Sequence, residues 1–413
     1  MYATLGLQIR TQRWLVNMVQ HVGAVTFEKS SQHGCTIAVV CSYTPSLVNF
    51  RFRLLQAMVE NGHTVVAFGP EDDGPTIDRL TTIGVRFIKI PMARAGLSPI
   101  EDLRTLAALV SALRTLSPDM VLCYTMKPVI YGLIAARLVG VKRRHALMTG
   151  LGYVFSDDRS NPRLPQIRRV ATWLYRIALR GDGKVFVYNS ADAEDIRAGR
   201  MVSPVERMLA VPGSGIDLDR FAAVPVPAGR PVFLMVARLL RDKGVREFVE
   251  AARQLREKGS PARFQLLGPQ DPSPLAIQPD ELARWIQDAT VDYLGETTDV
   301  RPYLAAATVF VLPSYYREGL PRSILEATAT GRAIITTDLP GCRDAVIAGE
   351  NGFLVPPRDP AALADAMQRF IDRPDLATAM GRRSREVART RFDVERVNRL
   401  LLAEMGLLQP TLA

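Results

Sequence analysis

Short apolar runs alternate with longer amphipathic stretches along most of this chain. CTIAVVCS, from Cys35 to Ser42, is rich in β-branched residues and has the pattern of a buried parallel strand. LVNFRFRLLQAMVENG follows as a helix, with Gly62 placed to cap its C-terminus. HTVVAFG, GVRFIKI and DMVLCYT predict three more strands, the last preceded by a helix near 101–116. Around 211–231, VPGSGIDLDRFAAVPVPAGRP crowds Gly and Pro together as a linker does. The alternation then restarts. VFLMVARL, RFQLLG, VDYLG, TVFVLPS, RAIITTD and GFLVPP read as strands, and VREFVEAARQLREKG as a helix. Such alternation predicts an α/β fold with two similar-sized domains, each on a parallel sheet, separated by a cleft. Ligands of these sheets bind beyond the carboxyl ends of the strands. The expected divisions are an extension at 1–34, an N-terminal domain at 35–212, a linker at 213–230, a C-terminal domain at 231–395 and a final helix and tail at 396–413.

Composition narrows the function. The 413 residues are 47% hydrophobic and 23% charged, enough apolar material for sizeable cores. A net charge of +10 suits phosphate-rich ligands, anionic membranes or nucleic acid, and selects none of them. No uninterrupted apolar run reaches transmembrane length. Residues 1–34 contain RTQRWLVNMVQHV without a clear small-residue cleavage site, so an extension is expected rather than a signal peptide, with a weak membrane contact or a mis-assigned start as the alternatives. Cys35, Cys41, Cys123 and Cys342 are scattered, as reduced thiols of a cytosolic protein would be. The four histidines form no HxH or HExxH pattern, so no metal held by His or Cys is expected. The first strand–helix turn, CSYTPSLVNF, lacks the dinucleotide fingerprint, and neither a P-loop nor a nucleophile elbow occurs.

Two segments carry candidate chemistry. In MVARLLRDKGVREFVE a strand ends near Ala237, Arg238 follows, and Lys243 stands beside Gly244 where a helix begins. Two cations at a helix N-terminus suit a diphosphate: the helix donates N–H groups, Arg binds bidentately and Lys acts as a point charge. A plain solvated Arg/Lys cluster is the alternative. In PSYYREGLPRSILEATATG, Glu318 precedes a helix whose first turn should hold Pro321, and Glu326 lies about one and a half turns into it. Gly319 and Leu320 place backbone N–H groups beside any ligand there. Carboxylates accept well from paired sugar hydroxyls. Nothing nearby in sequence pushes either pKa upward as a general acid needs, so the pair reads as hydroxyl clamps. A helix-start carboxylate and a surface Glu are again the plain alternative.

Together the motifs are more specific. ARLLRDKG, followed by the stretch from YLGETTDV through EGLPRSILEATATGRAIITTDLPGCRD to NGFLVPPRDPAAL, resembles the retaining glycosyltransferases of family 4 across nearly all of 230–395. Glu318 and Glu326 match that family's E-x7-E motif. The resemblance implies the GT-B fold, two Rossmann-like parallel-sheet domains facing each other across a cleft. LVNFR, KPVIYG and TGLGYVF look like the branch that adds N-acetylhexosamine or related sugars to polyprenyl-diphosphate-linked acceptors for capsule, O-antigen or protein glycosylation. By this resemblance Arg238 and Lys243 grip the donor diphosphate, Glu326 binds ribose hydroxyls and Glu318 sits near the donor sugar. Gly319 and Leu320 would face the sugar or the distal phosphate, while Pro321 has no N–H to offer. Gly268 and GETTDV at 295–300 match segments lining the nucleobase pocket. Two departures stand out. Pro45-Ser46-Leu47 replaces the Gly-Gly loop of many members, and Thr149 and Gly150 stand where many carry a His that contacts the donor sugar.

RLPQIRRVATWLYRIALRGDGK spans Arg163 to Lys184, with Leu164, Ile167, Val170, Leu174 and Ile177 at helical spacing and Arg169, Arg176 and Arg180 on another face. This basic amphipathic helix is expected either on an anionic membrane or on its own sheet with a solvated edge. Lys127 and Arg343 are further acceptor-side candidates, beside Thr149 and Gly150. The expectation is a metal-independent, retaining hexosyltransferase without a cofactor. It would use a nucleotide sugar, with UDP favoured, and a lipid-linked or other glycan acceptor, on the inner face of the cytoplasmic membrane. The family's chemistry implies acceptor attack on the face the leaving group departs, with the departing phosphate taking the proton. A nucleotide-sugar epimerase of the same fold would need acid and base residues on both sides of the sugar, which are not found. A nucleic-acid binder would need a recognition module or stacking platform, and neither is evident.

Overall fold

The computed structural model describes residues 34–93, 96, 98–155, 162–271, 273 and 275–408. All but the last residue of the expected extension at 1–34 lies outside them. The chain forms two compact units, one of residues up to Ser214 together with Val394 onward, the other Gly215–Asp393.

The first unit holds β1 (Thr36–Val40), β2 (Thr64–Gly69), β3 (Arg86–Lys89), β4 (Met120–Tyr124), β5 (Arg143–Met148), β6 (Val185–Val187) and β7 (Met208–Ala210). They form one sheet in the order β3-β2-β1-β4-β5-β6-β7, with every pair parallel. Ile37 to Val40 are buried, as are Met120 to Tyr124, because helices cover both faces of a parallel sheet. The second unit holds β8 (Val232–Val236), β9 (Arg263–Leu267), β10 (Asp292–Tyr293), β11 (Val309–Leu312), β12 (Ala333–Thr337) and β13 (Gly352–Val355), in the order β10-β9-β8-β11-β12-β13, again all parallel. Phe233 stacks on Phe264 in its core with ring centroids 5.6 Å apart.

Strand order reverses once in each sheet, between β1 and β4 and between β8 and β11. The connections leaving the carboxyl ends of the two strands at such a switch point run to opposite faces of the sheet and leave a crevice.

The structure divides the chain differently from the sequence in two places. The Gly/Pro-rich stretch expected as a linker is packed: Ile216 and Phe221 are buried in the second unit's core. The last helix, Val394–Glu404, packs with helix Ser46–Glu60 of the first unit, where Arg53 pairs with Glu395 at 2.6 Å. Its apolar residues Val397, Leu401 and Leu402 need a surface to cover, and that surface belongs to the other half of the chain. Cys41, Cys123 and Cys342 are buried thiols and Cys35 is half-buried, all unpaired.

Candidate active site

Two loops leave the switch point of the second unit. After β8 the chain passes Arg238, makes a 3₁₀ turn over Arg241–Lys243 and enters helix Val245–Glu257 through Gly244. Gly244 has φ +80°, and a Cβ there would lie 2.1 Å from the Pro313 carbonyl oxygen. Glycine is therefore what lets this turn lie against the loop leaving β11. No side chain caps the helix at Gly244, so its first N–H groups keep their partial positive charge beside Lys243.

The loop after β11 brings Glu318 to Lys243. Their side chains, 11% and 15% exposed, form a direct ion pair. Ser314 Oγ donates to the same Glu318 oxygen at 3.0 Å and also reaches the Asp242 carbonyl at 3.2 Å. That carbonyl accepts the N–H groups of Tyr315 and Tyr316, both at 2.8 Å, and so ties the two loops together. The Lys243 ammonium lies 4.9 Å from the centroid of the Tyr316 ring. Burial opposes the charge on Lys243, but Glu318 outweighs it and holds the ammonium above its usual pKa. Burial also raises Asp242, against the pull of Lys243 and Arg238.

Helix Arg322–Thr330 begins at Pro321, which stands just outside it with ψ 122° rather than in the first turn as expected. This helix too has no side-chain cap. Glu326 pairs with Arg322 at 3.2 Å. Burial raises the Glu326 pKa, and Arg322 and Arg220 only partly offset it. The expectation that nothing pushes either carboxyl upward fails for Glu326. Local sequence contains the offsetting arginine, but the desolvating cover comes from tertiary packing.

The remaining sequence candidates fall in three groups. Arg238 is half-exposed and pairs with Asp271 at 2.7 Å, at the edge of the same loop cluster. Gly268 has φ +148°, and a Cβ there would stand 1.9 Å from the Ala237 carbonyl oxygen. Its N–H donates to Gly295 O at 2.8 Å, and its carbonyl accepts from the Tyr293 hydroxyl at 3.0 Å. The Gly268 turn and the start of 295–300 are thus brought together. Gly319 and Leu320 continue the Glu318 loop, and Arg343 begins a 3₁₀ turn whose side chain pairs with Asp338 at 3.1 Å.

Lys127, Thr149 and Gly150 lie in the first unit. Lys127 follows β4 and pairs with Asp102 at 2.8 Å, both nearly buried, while the Tyr131 hydroxyl donates to the other Asp102 oxygen at 2.8 Å. Burial and Asp102 raise the Tyr131 pKa. Thr149 and Gly150 follow β5, with Gly150 at φ +133°. The basic helix runs Leu164–Ala178 and buries Leu164, Ala171, Tyr175 and Ala178. Val170, expected on the packed face, is instead exposed beside Trp173.

Sequence reasoning missed several residues here. Ser314, Asp242 and Tyr316 carry no motif, and only the fold shows that they brace Lys243 and Glu318. Gly341 was legible only as part of PGCRD. It has φ +81°, and a Cβ there would lie 2.6 Å from both the Glu318 and Gly319 carbonyl oxygens. The adjacent Cys342 thiol is buried, which pushes its pKa up to about 12 with help from Glu318.

Comparison with known proteins shows the family of the chain. Residues 50–213 match the glycosyl transferase 4-like domain, and 230–373 match glycosyl transferases group 1. The chain belongs to the group 1, family-4-like glycosyltransferases. A Campylobacter jejuni N,N'-diacetylbacillosaminyl-diphospho-undecaprenol alpha-1,3-N-acetylgalactosaminyltransferase is 28% identical to this glycosyltransferase over 79% of the chain and 87% of its own length. An Escherichia coli UDP-Gal:alpha-D-GlcNAc-diphosphoundecaprenol alpha-1,3-galactosyltransferase is also 28% identical, over 73% of the chain and 79% of its own length. Sucrose-phosphate synthase from Thermosynechococcus elongatus superposes with a TM-score of 0.73 at 22% identity, covering 89% of this chain and 97% of that one. The likeness shows the GT-B fold expected from the sequence. The epimerase alternative finds no support among the relatives.

Proposed function

We propose that this glycosyltransferase moves a hexosyl unit, an N-acetylhexosamine, from a UDP-sugar to a polyprenyl-diphosphate-linked acceptor with retention of configuration. The observation that carries the reading is the Lys243–Glu318 pair spanning the β8/β11 switch point, beside two helices whose N-termini have no side-chain cap. The donor diphosphate sits at Lys243, Arg238 and the N-terminus of helix Val245–Glu257. Developing charge on the leaving phosphate is stabilised there by groups already in place. Glu318 holds the donor sugar and Glu326 the ribose hydroxyls, with Gly268 and the 295–300 segment along the base. Gly319 and Leu320 face the distal phosphate. The acceptor hydroxyl attacks from the side of the departing phosphate, which takes its proton. No protein base is needed, and Glu318, held by Lys243 and Ser314, is a binding group in this scheme.

The names of the two bacterial relatives support this choice, since both act on undecaprenyl-diphosphate-linked sugars and one uses UDP-Gal. The acceptor side falls to the first unit, with Lys127, Thr149 and Gly150 as contacts, and Arg343 beside the donor loop. Basic helix Leu164–Ala178 rests on the anionic inner face of the cytoplasmic membrane. The contact proposed is peripheral; among the described residues no helix is long and apolar enough to cross a membrane.

The test is the thermal shift with UDP, GDP and ADP, followed by transfer from UDP-N-acetylhexosamines to a short-chain polyprenyl-diphosphate-linked sugar. UDP at 100 times its Kd should add about 2.7 kcal/mol of stability. A shift with GDP alone would replace the donor class. A UDP shift without transfer to any lipid-linked sugar would overturn the acceptor.

A further inference from the structure

Five of the nine large apolar side chains exposed among the described residues sit on one layer of the first unit: Ile100, Leu103, Leu138, Val170 and Trp173, each 57–68% exposed. They come from three helices, Pro99–Leu116, Leu133–Leu138 and Leu164–Ala178. The inner sides of all three join one core. Leu109 and Leu113, Ala135 and Ala136, and Ala171 and Tyr175 pack with Val40, Val121, Cys123 and Ala146 of the sheet. The helices are also neighbours, with the turn Pro128–Gly132 lying between the first and the third. Their outer sides therefore form a single surface.

That surface is basic as well as apolar. Its exposed charges on the three helices are Arg104, Arg114, Arg137, Arg169 and Arg176 against Glu101. Between the first two helices runs an open, mainly apolar groove lined by Leu103, Leu106, Ala107, Val110 and Leu138 together with Ser111, Arg114 and Thr115. A soluble surface seldom concentrates exposed leucine, isoleucine and tryptophan beside arginine, because water solvates the arginine well and the rest poorly. An anionic bilayer satisfies both, the side chains entering the acyl boundary while guanidinium groups meet lipid phosphates.

We infer that the whole three-helix layer, and not helix Leu164–Ala178 alone, is the face that docks on an anionic bilayer, with Ile100, Leu103 and Leu138 as an insertion point separate from Val170 and Trp173. The inference rests on the proposed membrane contact and extends it to two helices that carried no membrane signature in sequence. It follows that the lipid-linked substrate is reached with the sheet's helical layer against the membrane.

The experiment is co-sedimentation of the full chain with phosphatidylcholine vesicles, with and without phosphatidylglycerol. The wild type should bind the anionic vesicles, and added salt should weaken binding. The triple variant Ile100→Ser/Leu103→Ser/Leu138→Ser and the double variant Val170→Ser/Trp173→Ser should each weaken binding by about tenfold or more. Arg114→Glu/Arg137→Glu should do the same, at about tenfold or more, without touching an apolar contact. All should keep the wild-type melting temperature and UDP shift. Wild-type binding by the triple variant, with loss only in the Val170/Trp173 variant, overturns the inference and leaves the single-helix reading standing. Unchanged binding in every variant overturns both. A wild-type dimer that the triple variant converts to monomer, with no vesicle binding, would give this face to a second copy of the chain.

Discussion

The two switch points share a topology and differ in electrostatics. In the first unit, Ser42 Oγ and Thr125 Oγ1 stand 2.7 Å apart at the carboxyl ends of β1 and β4. The approach to helix Ser46–Glu60 is already occupied by an internal carboxylate, because Glu71 accepts the Thr44 N–H at 2.6 Å. In the second unit the corresponding place carries the Lys243–Glu318 pair, and the adjoining helices, like helix Ser46–Glu60, have no side-chain cap. The first crevice carries neutral hydroxyls and an internal anion beside helix Ser46–Glu60, and Lys127, which follows β4, is already held by Asp102. The other places a buried cation, paired with Glu318, beside two helix N-termini, where the proposed donor diphosphate would sit. Two sheets of one design therefore need not bind alike. What the loops place at the helix N-terminus decides which crevice takes a phosphate.

The largest test of this contrast is Lys243→Ala. Loss of a preorganised charge at the leaving group should lower kcat by about 10²–10³-fold, read in a steady-state transfer assay. Breaking the buried pair from one side should also cost about 3–5 kcal/mol of stability. Lys243→Ala/Glu318→Gln should recover part of that in a urea melt while staying inactive, which separates folding from chemistry.

Glu326→Gln should weaken UDP binding by about 10–100-fold, the worth of hydrogen bonds to a charged group. Calorimetric titration reads it. The same variant tests the pKa. Because burial raises folded Glu326 above its ordinary value, its stabilising contribution is fully present below about pH 4.5 and is lost as pH rises through the folded pKa. Wild-type stability should therefore fall with pH across that window more steeply than that of Glu326→Gln. A steeper slope in the variant would show that Arg322 outweighs burial.

Gly244→Ala should destabilise by about 1–3 kcal/mol, since alanine is strained at φ +80° and would meet the Pro313 carbonyl. Its UDP affinity should fall with it, as Lys243 is the preceding residue. The smallest effect belongs to the first unit. Ser42→Ala should cost about 1 kcal/mol and leave the UDP shift unchanged. If it abolishes the UDP shift instead, the contrast between the crevices is wrong.

Much of the fold was legible. The first four strands of the first unit, all six of the second, the alternation and the E-x7-E spacing are local patterns. A buried parallel strand is apolar throughout, and a helix entering a tight turn needs glycine. β6 and β7, each three residues long, gave no comparable run. The packed state of Ile216 and Phe221 was hidden because Gly and Pro punctuate an ordered loop as readily as a linker. The face of helix Leu164–Ala178 was misjudged at Val170 because an arginine-rich helix with apolar residues on several sides fits more than one rotation. Glu326 was misread because desolvation is a property of what surrounds a side chain, not of its neighbours in the chain.

By itself the sequence determined two α/β units, a cationic strand end at Arg238 and Lys243, and a carboxylate pair eight residues apart around a helix start. Those are short-range facts, set by side-chain period, turn chemistry and spacing. Only the tertiary structure decided that Lys243 meets Glu318 across seventy-five residues of chain, with Ser314 and the Asp242 carbonyl bracing them. It also decided that the last helix returns to the first unit and that three separate helices share one basic, apolar outer face. Each depends on which surfaces come together when apolar area leaves water, and that is settled by the whole packing rather than by any one segment.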